Sequence, residues 1–301
     1  MKKAVIILKT KQAQAILAIL ISAILFTIMG AFVKALTPNL PTIEVVFARN
    51  LFGLLWIIVA LLIHPPKEKQ GGKPFILFLR GFAGGSAMLA YFYNIAVLPM
   101  GTAYAFSYTS PIFLAFLSMI FIHTHVSIRV WVAIFLGFSG VLFISNPQAV
   151  NFSITGFLIG IYSGLGAALA YLSIAKLTKN YDSRVIIGSL MFWGTILVVI
   201  TQFFPYEKMP IALFEPFVLP NFKEFLLILL LGVVSTYAQI YLTRAYTLGN
   251  PPLIGAISYI TILFATIMGI VMGDSIPNLL AICGMILIIL GGILAAFRHA
   301  K

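Results

Sequence analysis

The first long apolar run of the chain is AILAILISAILFTIMGA, residues 15–31, and it contains no charged residue. An α-helix of about 20 apolar residues crosses the hydrocarbon core of a bilayer. A strand of a membrane β-barrel would instead alternate apolar and polar side chains over about ten residues. The run therefore predicts a membrane-spanning helix. Because it reaches Lys34 without a clear small-x-small cleavage motif, we expect it to remain as the first span rather than to be a signal peptide.

The composition of the whole chain extends this prediction. Of 301 residues, 61% are hydrophobic and 9% are charged, and the mean hydropathy is +1.10. A soluble domain carries roughly 25% charged residues, so a soluble globular protein is excluded. We predict an all-α membrane protein with ten transmembrane helices, at 15–36, 42–63, 75–97, 101–122, 130–146, 155–177, 185–204, 223–247, 252–272 and 278–297.

The positive charges predict how this array is oriented. With a cytoplasmic N-terminus and ten spans, 15 of the 19 Lys and Arg residues, Arg80 included, fall on the cytoplasmic side. The other four are Lys34, Arg49, Lys208 and Lys223. This is the bias of the positive-inside rule, and it predicts cytoplasmic N- and C-termini in a multi-pass protein of the cytoplasmic (inner) membrane. A nucleic-acid site would cluster basic residues on one soluble face. The net charge of +12 therefore indicates a lipid bilayer, not nucleic acid, as the partner.

A repeated dipeptide suggests that the array is duplicated. Ser-Tyr occurs at 107–108 and again at 258–259, 151 positions later in a chain of 301 residues. Equal division places five spans in residues 1–150 and five in 151–301. Because five is odd, the second half enters the membrane from the opposite side, which predicts two inverted-topology five-helix repeats. In transporters such repeats enclose a substrate site near the bilayer midplane.

Polar residues inside the spans are the candidate solute ligands, because burying them in a membrane is costly. Glu44 and Arg49 are five positions apart, a spacing that does not pair them on one helix. Arg49 is therefore expected to meet a polar cavity, a backbone carbonyl or a substrate anion, the alternative being snorkelling to the outer interface. Arg49 and Arg244 are candidates for a carboxylate or phosphate near opposite mouths. The other candidate solute ligands are Tyr91, Tyr93, Asn94, Tyr104, Ser107, Tyr108, Ser110, Tyr171, Tyr237, Gln239, Tyr241, Ser258 and Tyr259.

The tyrosines are selected because a buried phenol hydroxyl needs a partner. The alternative for any single tyrosine is ordinary packing between helices, so the prediction rests on the cluster as a whole. Pro111 lacks a backbone donor and predicts a kinked or broken fourth helix beside Ser107-Tyr108. Glu44 and Asp274 are the candidates for coupling to an ion such as a proton. The alternatives are an interfacial position for Glu44 and a capping role for Asp274.

Catalytic motifs are weak or missing in the sequence. Gly137-Phe138-Ser139-Gly140 has the G-x-S-G form of intramembrane serine proteases, but that chemistry requires a histidine base. All four histidines fall at the predicted inner ends or loops, so these glycines are predicted to serve helix packing, as are Gly156, Gly160 and Gly164. With no H-E-x-x-H and no G-x-x-x-x-G-K-[ST] motif, we expect no metal, no cofactor and no enzyme activity. The single cysteine, Cys283, allows no intramolecular disulfide.

Several segments together resemble the drug/metabolite transporter superfamily, specifically its ten-helix members with two EamA-type repeats. They are 47–50 (FARN), 80–82 (RGF), 98–103 (LPMGTA), 110–113 (SPIF), 137–141 (GFSGV), 245–250 (AYTLGN), 258–259 (SY) and 272–274 (MGD). Within this resemblance Arg49 matches an arginine often found in the second helix, and Asp274 a position usually held by glutamate. The first-half counterpart of that acidic residue is replaced by the segment 122–125 (IHTH).

The resemblance implies a central cavity that opens alternately to each side. Its members move amino acids, nucleotide-like compounds, cofactors or drugs, often by exchange or with a coupled ion. We therefore expect a secondary transporter for a small organic metabolite, as a monomer or homodimer. The alternatives are a drug or toxic-metabolite exporter of the same fold, an intramembrane enzyme, and a channel, for which a charged or carbonyl-rich pore ring is missing.

Overall fold

The computed structural model describes residues 10–66, 71–97, 105–145, 154–204, 215–273 and 276–296. Within these ranges the secondary structure consists of helices without strands. The helices are α1 (Lys11–Leu36), α2 (Thr42–Ile63), α3 (Pro74–Val97), α4 (Ser110–Phe121), α5 (Ile128–Ser145), α6 (Ile154–Leu177), α7 (Ser183–Thr201), α8 (Phe222–Leu248), α9 (Pro251–Ser258), α10 (Ile260–Val271) and α11 (Leu279–Ala296).

The lengths of these helices match a bilayer. Among the described residues, nine helical segments are long and apolar enough to cross a membrane, with α9 and α10 together forming one of them, Pro251–Val271. A tenth, shorter apolar segment is Ala105–Phe121. Large apolar side chains such as Leu62 and Ile128, each 76% exposed, face outward. The prediction of an all-α membrane protein with ten membrane helices is confirmed.

Local sequence explains where several helices begin. The Thr10 hydroxyl accepts a hydrogen bond from the backbone of Ala13 and caps α1. Before α8, Asn221 and Glu224 form a reciprocal capping box, which satisfies donors that the first helical turn leaves unpaired. Asp182 caps α7 by accepting a hydrogen bond from the backbone N–H of Arg184. Polar residues at the ends of the apolar runs thus mark the helix boundaries.

The packing of the helices repeats itself when the two halves are exchanged. Helix α3 packs on α6 and α7, and its counterpart α8 packs on α1 and α2. Helix α4 packs on α6, and its counterparts α9 and α10 pack on α1. The remaining major contacts join counterparts directly: α5 with α11, α2 with α7, and α4 with α9. This is the pattern that a duplicated five-helix array would produce.

Glycines allow several of these helix pairs to approach closely. A Cβ on Gly140 of α5 would lie 2.5 Å from the Gly284 carbonyl oxygen of α11. Gly160 of α6 lies against the ring of Phe106, and Gly164 against Thr109. The predicted packing role of these glycines is therefore confirmed within the bundle.

Candidate functional site

Both Ser-Tyr pairs lie where a membrane helix is interrupted. In the fourth span, the helical segment stops at Ser107, Tyr108 and Thr109 form a turn, and α4 begins at Ser110. In the ninth span, Tyr259 separates α9 from α10. The Pro111 prediction of a broken fourth helix is confirmed, whereas the second break has no proline at the corresponding place.

Hydroxyl groups accompany both interruptions. Thr109 Oγ1 donates to the Phe106 carbonyl at 2.5 Å, and Ser258 Oγ donates to the Gly255 carbonyl at 2.7 Å. Such bonds to a carbonyl in the preceding turn compete with the regular helical ladder and bend helices. The Ser258 side chain is thereby committed to its own backbone.

The two repeat tyrosines contact each other across the halves of the chain. The ring centroids of Tyr108 and Tyr259 are 6.2 Å apart with the planes tilted by 33°. Tyr259 is 1% exposed, its ring packs on Gly137 of α5, and its hydroxyl has no hydrogen-bond partner. The residues that first indicated duplication therefore meet at one place inside the bundle. The same contact shows that Gly137 of the G-x-S-G motif serves packing.

Two arginines are buried in the membrane-spanning layer. Arg49 of α2 is 8% exposed and Arg80 of α3 is 1% exposed. Arg49 Nη1 lies 2.9 Å from the Met88 sulfur, and Arg80 Nη2 donates to Gln239 Oε1 at 3.4 Å. The Nε atoms of both arginines are buried without a hydrogen-bond partner. In the described part of the chain, neither guanidinium has a carboxylate within 4.0 Å.

Tyr171 of α6 lies within electrostatic range of both guanidinium groups. Arg80 Nη1 lies beside Gly84 and Arg49 Nη1 contacts Met88, and these two positions are one turn apart on α3. The Tyr171 ring stacks on Tyr246 of α8, with centroids 5.1 Å apart and planes only 13° from parallel. We name Arg49, Arg80, Tyr171, Gln239 and Tyr246 the central cluster.

The central cluster draws on helices from both halves. Arg49 and Arg80 come from α2 and α3, whereas Tyr171, Gln239 and Tyr246 come from α6 and α8. Met88, which contacts Arg49, and Gln239, which contacts Arg80, are 151 positions apart, the same offset as the Ser-Tyr pairs. Equivalent positions of α3 and α8 thus face the two arginines.

Sequence reasoning found only part of this cluster. We expected Arg80 at the cytoplasmic interface, and this is wrong, because its side chain lies in the bundle beside Gly84 and Gln239. The available signal was its position six residues inside an apolar helix, followed by small residues that leave room for it. Tyr246 was missed because it lies near the end of α8. Arg244, which we expected at a cavity mouth, is exposed on the surface of α8.

The other candidate ligands occupy several environments. Asn94 is fully buried beside Gly160, and its amide atoms have no hydrogen-bond partner. Ser110 is buried at the start of α4. Tyr237 is 43% exposed on the outside of α8, apart from the central cluster. The candidates that are half-buried are Tyr91, Tyr93, Ser107, Tyr108, Tyr241 and Ser258, and Tyr104 and Asp274 lie outside the described residues.

Glu44 has a structural partner. Its carboxylate accepts a hydrogen bond from the backbone N–H of Val218 at 2.8 Å. This bond ties the irregular segment 215–221 to α2, at the end of the bundle predicted to face outward. The same segment ends at the Asn221 cap, and Glu224 there also accepts a bond from Asn39 at 2.8 Å.

A separate cavity of about 500 Å³ lies at the end of the bundle predicted to be cytoplasmic. The residues that cap or precede α1, α5 and α9 line it, namely Thr10, Ser127 and Asn250. Lys11 and Arg129 add positive charge. The lining includes no residue of the central cluster, which lies deeper in the bundle. Among the described residues, no group of three or more His, Cys, Asp or Glu side chains is arranged to hold a metal.

Comparison with known proteins identifies the class of this membrane protein. A model of the EamA-like transporter family matches residues 13–146. An uncharacterized transporter of Helicobacter pylori is 31% identical over 284 residues, which cover 92% of this chain and 93% of that protein. The chain belongs to the EamA-like transporter family, within the drug/metabolite transporter superfamily.

More distant relatives carry more specific names. The pseudopaline exporter of Pseudomonas aeruginosa is 27% identical over 91% of this chain and 93% of its own length. The S-adenosylmethionine uptake transporter of Rickettsia prowazekii is 20% identical over 94% of this chain and 92% of its own. A known crystal structure superposes on this chain with a TM-score of 0.79 at 18% sequence identity. The match covers 94% of this chain and 96% of the chain in that structure, which shows a shared fold.

Proposed function

We propose that this protein is a secondary transporter that moves a small organic metabolite across the cytoplasmic membrane by alternating access. The observation that carries the proposal is the central cluster, a group of charged and aromatic side chains from both halves of an otherwise apolar bundle. Intramembrane ionisable residues of this kind mark substrate or ion pathways. The two broken helices meet beside one another at Tyr108 and Tyr259, as irregular backbone does where it borders a transport cavity.

The proposed moving parts are two inverted five-helix repeats, residues 1–150 and 151–301. The exchange symmetry of the helix packing supports this division, because each major contact within or between halves has a counterpart. Rocking of one repeat against the other would open the central cluster alternately to the two sides. The N- and C-termini are proposed to be cytoplasmic, from the bias of positive charge.

The named relatives differ in the direction of transport. One named relative is an exporter and another is an uptake transporter. Export of a drug or toxic metabolite is therefore the second candidate function, and it uses the same central cluster. Coupling to a proton or to an exchanged solute is compatible with either direction.

Counterflow in proteoliposomes tests the proposal. Vesicles loaded with an unlabelled bacterial metabolite extract are diluted into the same extract uniformly labelled with ¹³C, and mass spectrometry identifies labelled solutes that accumulate inside. We expect at least one solute to exchange with a saturable rate. Replacing Tyr171 with Leu is expected to lower that rate at least tenfold, since it removes from the central cluster an aromatic hydroxyl within electrostatic range of both arginines.

Tyr237→Leu is the matched control, because it removes a tyrosine from the exposed face of α8 and is expected to leave the rate within about twofold. A solute flux that rises linearly with concentration and shows no counterflow would indicate a channel and contradict the proposal. So would exchange that is equally fast in the Tyr171 and Tyr237 variants.

A further inference from the structure

We infer that the transported solute carries an anionic oxyacid group, a carboxylate or a phosphate, and that this group binds between the guanidinium groups of Arg49 and Arg80. The inference rests on the proposed transport function and adds the chemical class of the substrate. It follows from the balance of charge, from the unused hydrogen-bond donors and from the position of the two arginines.

Among the described residues, no carboxylate compensates the charges of the two arginines. The four carboxylates in the described ranges are Glu44, Asp182, Glu215 and Glu224. Glu44 binds the Val218 backbone, Asp182 pairs with Arg184, and Glu224 belongs to the cap of α8. Glu215 lies in the segment at the predicted outer end and forms no ion pair with either arginine. Two buried positive charges therefore lie within electrostatic range of Tyr171, and no carboxylate from these ranges pairs with either of them.

The cost of such an arrangement is high unless something compensates it. Burying an ion away from water is costly, and a buried charge without a partner is strongly destabilising. A compact anion between the guanidinium groups would offset both costs at once. A cationic solute would add a third positive charge to the same place, so the cluster selects against it.

Hydrogen-bond donors are also left over. Each guanidinium has five N–H donors arranged to match the oxygens of a carboxylate or phosphate. Arg49 uses one terminal nitrogen on the weak sulfur acceptor of Met88, and Arg80 uses one on Gln239 at the long distance of 3.4 Å. Both Nε groups are buried and unpartnered. The donors that remain are enough for bidentate binding of an oxyanion by each arginine.

The surroundings suggest what the rest of the solute resembles. The Tyr171 and Tyr246 rings stack on each other, and Tyr171 lies within electrostatic range of both arginines. The buried amide of Gln239, on α8, supplies a neutral polar group beside Arg80. An anionic head with a planar or aromatic body fits this combination better than an aliphatic or polycationic solute.

Thermal stabilisation of the purified protein tests the inference. A bacterial small-metabolite extract is separated on an anion-exchange resin, and the retained and unretained fractions are added to protein in nanodiscs. A ligand that binds the folded state raises its melting temperature. We expect the retained fraction to stabilise the wild-type protein, with an apparent affinity at least about tenfold weaker in Arg49→Gln and in Arg80→Gln.

Two further sets of variants make the result specific. Arg244→Gln removes a positive charge from the exposed surface of α8 and is expected to keep the full stabilisation. Arg49→Lys and Arg80→Lys keep the charge but lose the bidentate geometry, so we expect these variants to keep part of the stabilisation. Phosphatase treatment of the retained fraction separates the two ligand chemistries: loss of the effect indicates a phosphate, and its persistence a carboxylate.

Stability without solute provides an independent measurement. If the arginines serve solute binding, Arg49→Met or Arg80→Met removes an uncompensated buried charge, and the melting temperature without ligand is expected to rise. If the arginines only support the fold, the melting temperature without ligand falls. The inference is overturned if this melting temperature falls in both Met variants. It is also overturned if the retained fraction stabilises both Gln variants as much as it stabilises the wild type.

The outcomes also distinguish this inference from the proposed function. Stabilisation by the unretained fraction alone overturns the anionic substrate class and leaves transport standing, provided that counterflow is observed. Stabilisation by neither fraction, together with no counterflow of any solute, contradicts both.

Discussion

At the scale of single residues, Asp182 and Arg184 show how one ion pair can join two helices. The Asp182 carboxylate caps α7 and receives two side-chain hydrogen bonds from Arg184, at 2.9 and 3.0 Å. Arg184 also donates to the carbonyl groups of Ala60 and His64 at the end of α2. The chain thereby satisfies helix-end carbonyls with a cation, the charge that the helix dipole favours there.

This contact predicts a pH-dependent contribution to stability. The hydrogen bond from Arg184 lowers the pKa of Asp182 below its ordinary value. Because the pKa is lower in the folded than in the unfolded state, the stabilisation is present above the unfolded pKa of about 4 and is lost as the pH falls through the folded pKa. Asp182→Asn, which keeps a good cap, is expected to cost about 0.5–1 kcal/mol at pH 7.

The measurement is the melting temperature of wild type and Asp182→Asn across the acid range. We expect the two curves to converge below about pH 4. Asp182→Ala is the companion variant, and its larger loss, about 1–2 kcal/mol, should include a part that does not depend on pH because the cap itself is gone. A difference between wild type and the Asn variant that stays constant at acid pH would contradict this account.

The buried arginines illustrate what residue type and position can and cannot reveal. Arg49 was selected from the sequence because a charged residue within a span is costly and the spacing to Glu44 does not pair the two on one helix. Arg80 lies at a similar depth in α3, but its place at the predicted cytoplasmic end made it resemble an interfacial positive charge. Only the rotation of α3 within the bundle places its side chain beside Gln239 rather than at the headgroups.

At the scale of helices, close contact between α5 and α11 depends on glycine. A Cβ on Gly140 would lie 2.5 Å from the Gly284 oxygen and 2.7 Å from a side-chain carbon of Ile288. The Gly284 backbone cannot move aside without moving its helix. We therefore expect Gly140→Ala to destabilise the protein by about 1–3 kcal/mol through overpacking.

Gly292→Ala in α11 is the matched control for this prediction. A Cβ there has no neighbour within 4 Å, so the substitution is expected to be neutral or to stabilise by up to about 1 kcal/mol. Both variants are compared by thermal unfolding in the same detergent. Equal melting temperatures would show that α5 and α11 are not packed as closely as the structure places them.

The broken helices mark the limit of prediction at this scale. Pro111 predicted the interruption in the fourth span, because it cannot donate a helical hydrogen bond. The ninth span has no proline near Tyr259, and Ser-Tyr by itself does not break helices. The tertiary contacts of Tyr259 with Tyr108 and Gly137 are not local properties of either segment.

At the scale of the whole molecule, the orientation of the ten helices leads to a labelling prediction. In a Cys283→Ala background, Ser127→Cys should react with a membrane-impermeant maleimide in inside-out vesicles, because Ser127 lies at the predicted cytoplasmic end. Leu219→Cys should react in right-side-out vesicles. Both side chains are exposed, Leu219 by 95%, so accessibility depends on the side of the membrane. Reaction of both from the same side would disprove the predicted orientation.

The number and kind of helices followed from the sequence by itself, because a bilayer acts on each segment separately. Any run of about 20 apolar residues meets the same hydrocarbon, whichever neighbours it later acquires. The Ser-Tyr offset added the expectation of duplication. Family membership rests on similarity along nearly the whole chain, which needs no coordinates.

Only the tertiary structure brought the central cluster together. Arg49, Arg80, Tyr171, Gln239 and Tyr246 are spread over 198 positions (49 to 246) and four helices. Which side chains meet depends on how each helix is rotated about its axis. Where the apolar face is nearly continuous around the helix, hydropathy does not specify that rotation, and close packing at glycines and aromatic rings decides it.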